Sequence, residues 1–71
     1  MSHSITEAPP EEIATELYQI GSRLRVLSEL SRIQAFKAQG QNSAELFNGC
    51  KLLLETSQIC EELSKGFLEI A

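Results

Sequence analysis

The side chains best suited to chemistry are two thiols, Cys50 and Cys60, one imidazole, His3, one phenol, Tyr18, and two adjacent carboxylate pairs, Glu11-Glu12 and Glu61-Glu62. A thiol nucleophile needs a base beside it and a metal ion needs several ligands on one surface. His3 lies at the extreme N-terminus, far along the chain from either cysteine. Adjacent residues on a helix point about 100° apart, so neither glutamate pair converges on a shared substrate atom. The cysteines are ten residues apart in what reads as one continuous helix. That places their Cα atoms about 15 Å apart, beyond the reach of an intrachain disulfide. They are expected as buried free thiols. The stretch from Gly40 to Gly49 has two glycines near a helix start but lacks the Lys-Ser/Thr ending of a phosphate loop. The sequence predicts no enzymatic activity, no metal and no cofactor.

The elements that carry these residues are plain from breakers and caps. Pro9-Pro10 is followed by Glu11, Glu12 and Glu16, and no further proline occurs. Proline suits a first turn, and acids there favour the positive end of the helix dipole. Residues 1–9 read as a flexible tail, and a first helix is expected over about 10–39. Gly21 is its only internal breaker. Gly40, preceded by Lys37, reads as a C-cap glycine in the left-handed conformation. Asn42 with Glu45 three positions on resembles a capping box, opening a second helix over about 43–69. The connection, residues 40–42, is short enough that the helices must run antiparallel, each about 40 Å long. The fold class expected is all-α: an antiparallel two-helix hairpin.

Composition limits what such a hairpin can do alone. A chain of 71 residues buries only about 60% of its unfolded surface and needs a supplement, of which oligomerisation is the simplest here. Apolar residues are 42% and charged residues 23%, with net charge −4 and glutamate as the sole acid, which suits a folded helical protein. That charge argues against general affinity for nucleic acid or anionic membrane. No run approaches the roughly 18 apolar residues of a membrane span, and the N-terminus has no basic-then-apolar signal, so a cytoplasmic location is expected.

Heptad spacing gives the expected contacts. In the first helix Ile13, Leu17, Ile20, Leu24 and Leu27 alternate by fours and threes and continue through Ser31, Gln34 and Ala38. In the second, one column reads Leu46, Leu53, Cys60, Phe67 and its companion Cys50, Ser57, Ser64, Ala71. The companion holds only small residues, which admits close approach of a partner helix. These residues form the predicted hairpin seam. A second stripe, Leu52, Thr56, Ile59, Leu63, Gly66 and Ile70, is rotated by roughly 120° from the first. With Val26, Leu30 and Ile33 of the first helix, Leu52, Ile59, Leu63 and Ile70 are predicted to be a partner or dimer interface, since a lone hairpin leaves them in water.

The expected assembly is a homodimer forming a four-helix bundle, acting as a protein–protein interaction module such as an adaptor, small chaperone or inhibitor. A different helical protein is the alternative occupant of the second stripe. Residues 21–40 carry Arg23, Arg25, Arg32 and Lys37 against Glu29 alone. Arg25 and Arg32 share a face and are candidates to meet phosphate, an acidic partner, or glutamates such as Glu45 and Glu55 across the hairpin. A nucleic-acid regulator using that basic face is the alternative function. It is disfavoured, because two or three phosphate contacts from an acidic protein bind weakly.

Overall fold

The computed structural model describes residues 8–38, 40 and 42–71. The tail expected over residues 1–9 therefore lies largely outside the described residues, as does His3. Two helices account for the fold: α1, Pro10–Ala38, and α2, Ser43–Glu69, packed antiparallel. The result is a slab of 49 × 27 × 14 Å, one helix thick.

The helix ends follow from local chemistry, with two departures from expectation. The Pro9 carbonyl accepts from the Glu12 and Ile13 amides, so the proline pair opens α1. At the turn, Gly40 does not take the left-handed backbone, and a side chain there would meet only the Ala38 carbonyl at an ordinary 3.6 Å. The chain reverses instead through a turn in which the Ser43 amide donates to the Gly40 carbonyl. Asn42 caps α2 through its backbone carbonyl, which accepts from the Leu46 amide. Its side chain makes no cap hydrogen bond, so the capping box is not formed.

What holds the helices together is a seam of small residues. In α1 the buried residues are Ala14, Gly21, Ser28 and Ala35, spaced by seven. In α2 they are Cys50, Ser57, Cys60 and Ser64, and three of these repeat by seven as well. The two columns meet in antiparallel register. The Ser64 hydroxyl donates to the Ala14 carbonyl at 2.7 Å, and the Ser28 hydroxyl to the Cys50 carbonyl at 2.9 Å. Between these layers, a Cβ placed on Gly21 would sit 3.1 Å from the Ser57 carbonyl oxygen. Side chains this short are what allow backbone-level contact, and glycine stands where the approach is tightest. The Ser57 hydroxyl donates within its own helix, to the Leu54 carbonyl. No buried side-chain polar atom lacks a partner among the described residues.

This corrects the seam expected for α1. Ile20 and Leu27 are exposed, at 43% and 49%, and Leu46 on α2 is exposed too. Ile13, Leu17, Leu24, Leu53 and Phe67 are only half-buried. The line of contact is rotated by about one residue step, 100°, from the Ile13–Ile20–Leu27 column. The reason is steric: a helix pair close enough for serine-to-carbonyl bonds has no room for branched side chains on the line of centres, so leucine and isoleucine are displaced to its flanks.

The cross-helix hydroxyl bonds supplement carbonyls that are available to helical amides, so their loss does not orphan an acceptor. Ser64→Ala is expected to lower stability by about 0.5–1.5 kcal/mol, measured by urea unfolding. A loss of several kcal/mol would mean that Ser64 does more than join the two backbones.

Candidate interaction faces

Because the seam consists of alanine, glycine, serine and cysteine, nearly all large apolar side chains remain outside it. No leucine, isoleucine, valine or phenylalanine is among the buried residues described. What the hairpin presents to its surroundings is decided by the columns on either side of the seam.

A half-turn about an axis perpendicular to the slab exchanges two antiparallel helices and keeps each column on its side. The flanking columns of α1 and α2 therefore sort into two faces. On one face α1 contributes Pro10, Leu17, Leu24, Ser31 and Ala38, with Ile13, Ile20, Leu27 and Gln34. On the same face α2 contributes Leu46, Leu53, Cys60 and Phe67, with Gly49, Thr56, Leu63 and Ile70. None of these residues is charged. Leu46 shares a shallow groove with Leu27, Ser31 and Ala38, which places the two helices' columns together on this side.

The opposite face has Glu11, Tyr18, Arg25, Arg32 and Glu29 on α1, and Lys51, Gln58, Glu61 and Lys65 on α2. Arg25 donates through Nη2 to both carboxylate oxygens of Glu61, at 2.7 and 2.8 Å. Arg25 thus pairs across the hairpin with Glu61, not with Glu45 or Glu55 as the spacing suggested. Phe36 and Phe47 meet edge to face near the turn, with centroids 6.1 Å apart. Arg32 has no carboxylate within salt-bridge distance among the described residues.

The ion pair is largely solvated, with Arg25 48% exposed, so it adds little stability. Arg25→Ala is expected to cost less than about 1 kcal/mol, and the difference from the parent should shrink further at 1 M salt in urea titrations.

The predicted interface residues divide. Leu63 and Ile70 lie in the uncharged face, Leu52 and Ile59 at its α2 edge, and all four are exposed. Val26, Leu30 and Ile33 are exposed too, but point away from α2 along the outer edge of α1, where Val26 and Leu30 line a hollow with Ser22 and Arg23. Cys50 and Cys60 are free thiols within the seam. No cluster of three metal-ligating side chains occurs among the described residues. No helix is long and apolar enough to cross a membrane among those residues.

The α1 column Ala14-Gly21-Ser28-Ala35 was not among the predicted seam residues. Its signal was the same one that marked Cys50-Ser57-Ser64: small residues repeating by seven.

Set beside known protein families, characterised proteins and solved structures, the chain matches none of them. The geometry of the two faces is therefore what bears on function.

Proposed function

We propose that this chain is a non-enzymatic helical interaction module whose uncharged face is covered by the same face of a second copy, giving a four-helix bundle of two stacked hairpins. The observation that carries this reading is the one-sidedness of charge. The four columns flanking the seam on one face hold no carboxylate, ammonium or guanidinium group, while the corresponding columns on the other hold seven. An exposed apolar face of such extent marks an association surface. The slab's broad side is 49 × 27 Å in extent, so two copies can stack along the whole length of both helices.

A second copy suits this face because both its halves, from α1 and from α2, are free of charge. Stacking two copies about a twofold axis then brings no buried charge into the interface. The cover also supplies the core that the hairpin lacks, since Leu24, Leu53 and Phe67 are only half-buried in a single copy.

Sedimentation equilibrium from low to high micromolar concentration, with helicity recorded on the same samples, tests the proposal. A helical dimer is expected throughout most of the range. A cooperatively folded monomer at high micromolar concentration would overturn it. A poorly helical monomer would instead give the face to an unlike helical partner.

A further inference from the structure

On the face opposite the uncharged one, α1 and α2 enclose an open groove of about 590 Å³, within the usual range for ligand pockets. Its lining combines apolar surface from Phe47 and Leu54 with charged groups from both helices, Arg25, Glu29, Arg32 and Lys51. Glu61 already neutralises Arg25, and Arg25–Glu61 is the only salt bridge among the described residues. Arg32 from α1 and Lys51 from α2 are thus left against Glu29 alone, a local excess of positive charge in a chain of net charge −4.

We infer that this groove docks an acidic amphipathic helix of another protein, its carboxylates held between Arg32 and Lys51 and its apolar side chains resting on Phe47 and Leu54. Three features select this occupant. A groove between two packed helices accommodates a third helix lying along it. The apolar surface requires a ligand with apolar side chains as well as charge, which a bare phosphate lacks. Acidic columns on the outer edges of the hairpin, Glu55, Glu62 and Glu69 on α2 and Glu12 and Glu16 on α1, repel an extended polyanion but not a short segment held in the middle. The groove lies on the far side of the slab from the uncharged face, so the inference stands whatever covers that face.

The test uses the full chain and a fluorescein-labelled helical peptide in which glutamate and leucine each recur every seven residues. The same peptide with lysine in place of glutamate, and a single-stranded oligonucleotide, serve as competing probes. Fluorescence anisotropy is expected to show micromolar binding of the glutamate peptide, weakening with salt. The lysine peptide is expected to bind at least tenfold more weakly. The double substitution Arg32→Glu, Lys51→Glu, at two exposed positions, is expected to lower affinity for the glutamate peptide at least tenfold while helicity is retained. Equal binding of the two peptides, or no binding of the glutamate peptide, overturns the inference without reference to any variant. Tighter binding of the oligonucleotide also overturns it, and would assign the groove to nucleic acid. Salt-sensitive assembly of the protein beyond a dimer, blocking the peptide, would overturn it in favour of another copy's Glu55-Glu62-Glu69 column.

Discussion

Ser57→Leu is expected to be among the most damaging single substitutions in the chain, lowering stability by about 3 kcal/mol or more. Ser57 is fully buried, with no accessible surface, and lies opposite Gly21. Its backbone carbonyl is already so near α1 that even a methyl group on Gly21 would be crowded, at 3.1 Å from that oxygen and 3.3 Å from Cys60 Cβ. A leucine side chain at position 57 has no cavity to enter and must force the helices apart. That would lengthen the neighbouring Ser28–Cys50 and Ser64–Ala14 hydrogen bonds at the same time. Against a total stability of roughly 4–10 kcal/mol for a domain of this size, such a loss removes about a third to three-quarters of it.

Two further substitutions in the same layer separate size from chemistry. Ser57→Ala should be nearly neutral, because the hydroxyl bonds only to the Leu54 carbonyl of its own helix. Gly21→Ala sets a helix-propensity gain of about 1 kcal/mol against a shift of a few tenths of an ångström in its neighbours, so its net effect is small. Urea unfolding followed by circular dichroism measures all three. A neutral Ser57→Leu would show that the helices do not approach along this seam.

Leu63→Glu is expected to convert the proposed dimer to monomer across the micromolar range, an affinity loss of at least a hundredfold, about 2.7 kcal/mol. Leu63 is 48% exposed in the single hairpin, so a carboxylate there stays solvated and the hairpin itself can form. In stacked hairpins the same carboxylate would be enclosed by the partner's uncharged columns, where no cation stands to pair with it. The matched control is Leu68→Glu, at 55% exposure on the opposite face, which should leave the dimer intact. Sedimentation equilibrium of both variants separates the faces. Dissociation by both substitutions, or by neither, would refute the assignment of the dimer contact to the uncharged side.

Much of the fold was legible in the chain. Pro9-Pro10, the acids after it, and the short segment at Gly40–Asn42 mark two long helices that must double back. The small column Cys50-Ser57-Ser64 marks a surface of close approach on α2. The matching column in α1 was obscured by a stronger pattern beside it, because Ile13, Leu17, Ile20, Leu24 and Leu27 carry far more apolar surface than Ala14, Gly21, Ser28 and Ala35. Hydrophobic periodicity finds the stripe that most needs cover, and in an ordinary coiled coil that stripe is the seam. Here the two are different, since close packing rewards small volume on the line of centres and sends bulk to the flanks.

Sequence spacing placed Arg25 and Arg32 on one side of α1, but left their partners open. Which glutamate meets Arg25 depends on the register between helices, and that register is fixed by the serine-to-carbonyl bonds and by the fit of Gly21 against Ser57. Once it is set, Glu61 comes opposite Arg25, while Arg32 lines the same groove as Lys51 with no carboxylate within salt-bridge distance among the described residues.

By itself, then, the sequence determined the helical class, the hairpin and where its helices begin and end, because these depend on local breakers and dipoles, although the two caps read from it do not form. Only the tertiary structure decided which column of α1 is the seam, and through it that the uncharged columns of both helices fall on one face and the ionised ones on the other. Facing depends on how far two helices rotate about their own axes when they pack. That rotation is set by the sizes of side chains meeting across the contact, a property of the pair that neither helix carries alone.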